Sequence, residues 1–110
     1  MKLPQNNKVI IPRVKLTDYI LSETHATGKF KGKLFRSLGF DNTNVDLFEK
    51  ALINIARSQK VKETLASPYG TKYIIDGNIK TPVGKVVKVR TVWIIEEGQE
   101  KPRFITIYPV

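Results

Sequence analysis

The chain has no cysteine, a single histidine and only ten acidic residues in 110. Without cysteine, neither a disulfide framework nor a thiolate zinc site can be built. His25 alone cannot supply an imidazole metal site, and few carboxylates lie near it to hold Mg²⁺ or Ca²⁺. No stretch approaches the roughly 18 consecutive apolar residues of a membrane-spanning helix. The segment Met1-Lys2-Leu3-Pro4-Gln5-Asn6-Asn7 has no apolar run of the secretory kind. Phosphate-loop chemistry is also excluded: Gly28-Lys29-Phe30-Lys31-Gly32-Lys33 has too few residues between its glycines and no hydroxyl after the lysine. No serine sits in a nucleophile-elbow pattern. The expectations are therefore no metal, no other cofactor, no membrane association and a cytoplasmic location.

What the chain has in quantity is positive charge. Lys and Arg number 19, which gives a net charge of +9 and a pI near 9.9. Hydrophobic content of 41% with 26% charged residues fits one globular domain over residues 1–110 rather than a disordered chain. A domain this small and this basic suits a polyanionic partner, nucleic acid being the simplest. The other reading of the same numbers is a merely soluble basic surface. The charge is clustered: Lys29, Lys31, Lys33 and Arg36 lie close together, as do Lys80, Lys85, Lys88 and Arg90.

Hydrophobic periodicity divides the chain into a helical half and a strand half. Pro12 suits the first turn of a helix running to about Leu21, with Val14, Tyr19, Ile20 and Leu21 as apolar surface. A loop over Ser22 to Gly28 leads to a short helix, Lys29 to Leu38, with Phe30, Leu34, Phe35 and Leu38 on one side and Gly39 as its stop. Asn42, Thr43 and Asn44 offer N-caps for a helix over Val45 to Gln59, in which Val45, Phe48, Leu52 and Ile55 follow the 3.6 period. Strands follow: Val61 to Ala66, Thr71 to Asp76 ended by Gly77, a shorter one through Ile79 and Lys80, then Val86 to Ile95 and Arg103 to Tyr108. The expected architecture is α+β, with N-terminal helices packed on one face of a C-terminal antiparallel β-meander of four to five strands.

The last two strands are the most informative. Side chains in a strand alternate sides. Val87, Val89, Thr91, Trp93 and Ile95 share one face, and Val86, Lys88, Arg90, Val92 and Ile94 the other. In the return strand Ile105 and Ile107 fall on one side and Phe104, Thr106 and Tyr108 on the other. Closing the hairpin symmetrically about Glu96–Pro102 sets Arg90 opposite Tyr108 with Thr106 on the same face. The helices are then expected to cover the Val89/Trp93/Ile105/Ile107 side, leaving a cationic, hydroxyl-bearing face suited to phosphate.

His25, the lysine cluster and this face form a metal-free set that suits RNA cleavage by transesterification. A base removes the ribose 2′-OH proton, cations stabilise the phosphorane, and an acid protonates the leaving 5′-oxygen. His25 titrates near neutral pH and can act as base or acid. Lys31 and Arg90 can hold the phosphoryl oxygens, and Tyr108, Thr106 or Thr91 can hydrogen-bond phosphate or relay a proton. Lys29, Lys33, Lys72 and Lys88 add to the expected RNA-binding set. Each has a plainer reading: His25 as a polar cap before a helix, the lysines as a solvated helix face, Tyr108 as an amphipathic edge to the core. Arg90 amid valines calls for a partner or a ligand.

Glu23-Thr24-His25, Gly28, Lys31, Phe35 and Leu38-Gly39-Phe40 resemble the opening of a bacterial domain family of uncharacterised function. Tyr69-Gly70-Thr71-Lys72-Tyr73, Gly77, Thr81-Pro82-Val83-Gly84, Arg90-Thr91-Val92-Trp93 and Pro102 through Pro109 resemble its later segments, so the likeness spans nearly the whole chain. Ala26 departs from the family, which often has proline there. The family occurs as toxin tips of polymorphic secretion systems and as standalone proteins beside small antitoxin-like partners. Its layout is similar to the barnase/EndoU/colicin/RelE superfamily of metal-independent ribonucleases. The resemblance implies a ribonuclease toxin neutralised by a small acidic antitoxin or immunity protein, with His25, Lys31, Arg90, Thr106 and Tyr108 as site candidates. A non-catalytic RNA-binding module and a structural or interaction domain remain the alternatives.

Overall fold

Alternating apolar and polar residues over the second half of the chain produce four antiparallel strands in the order β1-β2-β3-β4: Glu63–Ser67, Gly70–Lys80, Val86–Glu96 and Arg103–Pro109. The computed structural model describes residues 1–20 and 29–110, with side chains for 1–17 and 32–110. Before the strands come a 3₁₀ turn (Asn6–Lys8), a π-helix (Lys15–Ile20), α1 (Lys29–Ser37) and α2 (Val45–Ser58). The α+β class and the helices-before-strands order are as expected, with the strand number fixed at four.

The expected short strand through Ile79 and Lys80 is not separate. β2 runs unbroken from Gly70 to Lys80 and pairs with β3 along its whole length, from Gly70↔Glu96 to Lys80↔Val86. Gly77 reads locally as a strand terminator, yet it lies mid-strand because α2 comes so close there. A Cβ on Gly77 would sit 2.9 Å from the Ile55 side chain, so the missing side chain lets the helix seat against the sheet.

A second correction concerns β4. The pairing shifts by one residue between Val92 and Trp93, so Thr106 faces Val92 while Phe104 faces Trp93. Ile105 is the extra residue of this bulge, and the alternation reverses across it. Phe104 is therefore fully buried, stacked edge-on against Trp93 with ring centroids 5.3 Å apart, while Ile105 leaves the core.

Helices cover one sheet face. Val45, Phe48, Leu52 and Ile55 of α2 are buried at the expected spacing. They join Phe35 of α1, Leu38 and Phe40 just after it, and Ile75, Ile79, Val89, Trp93, Phe104 and Ile107 of the sheet in one cluster. α1 ends as expected at Gly39, whose φ of 97° places it in the left-handed region. The Gly39 amide donates to the Arg36 carbonyl and the Phe40 amide to the Phe35 carbonyl, the paired bonds of a Schellman stop. Asn44 takes the N-cap position of α2 without a side-chain capping bond. Its amide nitrogen donates instead to the Gly39 carbonyl and its oxygen accepts from the Asp41 amide, which fixes the link between the helices.

The segment expected as an ordinary helix from Pro12 is a π-helix over Lys15–Ile20, a rare form with a wider turn. Leu16 within it is buried, while Val14, just before it, is 61% exposed; Leu21, the expected end, lies outside the described residues. Arg13 tethers this region to the N-terminal end of α2 through Asp46 and Glu49. The N-terminal strap spans the sheet: Lys2 pairs with Lys60, just before β1, and Ile10 pairs in parallel with Arg103, closing the β4 edge.

Candidate functional site

The outer sheet face, opposite the helical layer, carries the residues that can meet a ligand. Its central row crosses three strands: Asp76 of β2, Arg90 of β3 and Tyr108 of β4 stand in register. The expected facing of Arg90 and Tyr108 is present, and Thr106 lies on the same face opposite Val92. Lys88 lies opposite Asn78 and Lys72 opposite Ile94, so both exposed lysines share that face.

Arg90 is held from one side by a two-pronged ion pair. Its Nε donates to Asp76 Oδ1 at 2.7 Å and its Nη2 to Oδ2 at 3.0 Å, the fork geometry that makes Arg–carboxylate pairs specific. The side chains are 28% and 15% exposed. The Arg90 bond pulls the Asp76 carboxyl below its ordinary range against the opposing effect of partial burial, with Lys62 and Lys88 adding attraction. Lys62 Nζ stands 4.0 Å from Asp76 Oδ2. The Asp76 bond in turn raises the Arg90 guanidinium above its ordinary value, and the Tyr108 side chain interacts with it as well.

Asp76 is the residue that sequence reasoning missed. Had β2 been continued through Gly77, a hairpin centred on Val83 would have set Asp76 opposite Arg90. The demand of Arg90 for a partner is met by this carboxylate.

Thr91 belongs to the other face and cannot serve as an RNA contact in this structure. It is fully buried, its hydroxyl donates to the Ile75 carbonyl at 2.7 Å, and it accepts the Trp93 indole N–H at 2.9 Å. Both polar groups are satisfied internally. Lys33 is exposed on α1, in the helical layer. Lys29 and Lys31 are placed on α1 by their backbone, with side chains outside the described residues, and His25 lies outside the described residues altogether. Arg90, Thr106, Tyr108, Lys72 and Lys88 are thus brought together on one face.

Among the described residues no group of three His, Asp or Glu side chains could hold a metal ion. No described helix is long and apolar enough to cross a membrane.

A family model matches residues 2–110, the domain of unknown function DUF6883. The chain belongs to this family. No curated protein matches it. Among solved structures, this DUF6883 chain is similar to a chain of a contact-dependent growth inhibition toxin–immunity protein complex from Klebsiella pneumoniae 342. The TM-score is 0.74 at 14% sequence identity, and the match covers 94% of this chain and 95% of that one. At that identity the likeness establishes a shared fold. The expected kinship with a family of uncharacterised function thus holds, that family being DUF6883, and the fold is shared with a chain of that complex.

Proposed function

We propose that this DUF6883 chain is the toxin member of a toxin–immunity pair and acts in the cytoplasm as a metal-independent ribonuclease. The observation that carries the reading is the Asp76–Arg90–Tyr108 row on an outward, lysine-flanked face of a +9 domain. The toxin–immunity fold likeness supports it. That likeness would equally suit the immunity member, and the strong positive charge favours the member that meets a polyanion.

The chemistry is transesterification. The 2′-oxygen bonds to phosphorus as a base takes its proton, and the bond from phosphorus to the 5′-oxygen breaks as an acid protonates that oxygen, leaving a 2′,3′-cyclic phosphate. His25 handles a proton, Arg90 binds the phosphoryl oxygens, and Tyr108 and Thr106 hydrogen-bond phosphate or relay a proton. Lys72 and Lys88 hold the RNA backbone on this face, and Lys29, Lys31 and Lys33 of α1, in the helical layer, add to the long-range field that draws RNA in. An acidic immunity protein covers the cationic face, since opposite charge speeds encounter and orients the partner.

The test is purified protein with EDTA and total RNA. Cleavage is expected, and His25→Ala and Arg90→Ala should each reduce it by at least about tenfold. Salt-sensitive binding without cleavage would replace the enzyme by an RNA-binding module. Absence of both RNA binding and growth inhibition contradicts the proposal.

A further inference from the structure

The outer face poses a question that the ribonuclease reading leaves open: the arginine offered to phosphate already has a carboxylate partner. Three cations converge on Asp76, namely Arg90, Lys62 and Lys88. Such an arrangement has two possible meanings with opposite consequences. In one, Asp76 is an internal stand-in for phosphate and competes with substrate. In the other, it fixes the arginine in the orientation that substrate requires.

Geometry decides between them. Asp76 sits in the middle of β2, paired to β3 on one side and next to β1 on the other, with Glu63↔Ile74 the nearest paired position. Its short side chain is mostly buried and cannot swing away to vacate a site. The two bonds also occupy one defined edge of the guanidinium, formed by Nε and one hydrogen of Nη2. A guanidinium has five N–H donors, so three remain beyond the two given to the carboxylate, and the Tyr108 side chain also hydrogen-bonds the guanidinium. Tyr108 flanks Arg90 from the opposite strand. Arginine is otherwise a long, rotamer-rich side chain, and tethering it in advance removes an ordering step from phosphate binding.

We propose that Asp76 is a positioning residue: it locks Arg90 so that the outer edge of the guanidinium, from Nη1 to Nη2, receives the scissile phosphodiester end-on beside Tyr108. The proposal rests on the ribonuclease reading and deepens it. Lys62 and Lys88 restore the positive charge that the carboxylate cancels, so the row stays attractive to an anion.

The discriminating experiment compares Asp76→Asn with Glu96→Gln. Glu96 makes the analogous bond on this sheet, accepting from Arg103 Nε at 2.9 Å, and serves as the structural control. With a defined RNA oligonucleotide, Asp76→Asn should lower kcat by at least about tenfold with a smaller change in KM, because the misoriented arginine fails most in the transition state. Glu96→Gln should leave kcat within about twofold and shift the unfolding temperature less than Asp76→Asn, since its ion pair is more exposed. Asp76→Glu keeps the charge but moves the carboxylate by one methylene, and its kcat should fall between those of Asp76 and Asn. If Asp76→Asn does not fold, an unchanged kcat in Asp76→Glu overturns the proposal. A kcat in Asp76→Asn equal to or above that of the unsubstituted protein overturns it too, a rise identifying the carboxylate as a competitor of substrate. Absence of cleavage by the unsubstituted protein is a different outcome, since it overturns the ribonuclease reading itself.

Discussion

Thr91 and Arg90 are neighbours on β3 and project to opposite faces of one sheet. Thr91 is enclosed by protein, and its hydroxyl is consumed by the Ile75 carbonyl and the Trp93 indole. Arg90 is half-open, two of its donors are taken by Asp76, and Tyr108 interacts with the guanidinium as well, yet five donors exceed what these partners use. On the inner face hydrogen bonds close the accounts of buried polar groups so that aromatic packing can proceed. On the outer face they orient a charge and leave part of it available. The difference teaches that a polar residue in a strand must be read with its cross-strand partners, because alternation tells which face it takes but not whether its bonding capacity is spent.

Substitutions can break this contrast at several depths. The largest effect is expected at Trp93, fully buried against Phe104. Trp93→Ala should destabilise the fold by about 3–5 kcal/mol in urea unfolding. Thr91→Val preserves shape but strands the Trp93 N–H, and should cost about 1–3 kcal/mol by the same measurement. If Thr91→Val instead spares stability and impairs RNA binding, the assignment of Thr91 to the inner face is wrong. The mildest effect is a pH dependence. Asp76 has its carboxyl lowered from the ordinary 3.8, so its ion pair contributes stability that is present above that value and lost as pH falls through the lower folded-state value. Asp76→Asn should therefore lose stability relative to the unsubstituted protein at neutral pH, with the gap closing under acid conditions; a gap independent of pH would contradict the pairing.

Much of the outer face was legible because it depends on short-range rules. Period-two alternation and a symmetric hairpin suffice to put Arg90 opposite Tyr108, and neither requires knowledge of distant residues. The exchange of Phe104 for Ile105 in the core was not legible, since a bulge satisfies packing against Trp93 rather than any preference within β4. Gly77 shows the same limit from the other direction. Local chemistry reads it as a break, but Ile55, more than twenty residues earlier, needs the space above a continuing strand. That misreading also hid Asp76. The π winding of Lys15–Ile20, with Leu16 buried and Val14 before it exposed, was not legible either, since a helix was readable there but not its wider turn.

Arg90→Ala is the most direct probe of the central claim that the outer face is a working surface, because it leaves the inner face untouched. Cleavage of total RNA in EDTA should be measured for the unsubstituted protein and for this variant, beside their unfolding curves. The account predicts metal-independent cleavage that falls at least about tenfold in Arg90→Ala while the protein remains folded. Cleavage at the unsubstituted rate by a folded Arg90→Ala protein would contradict it.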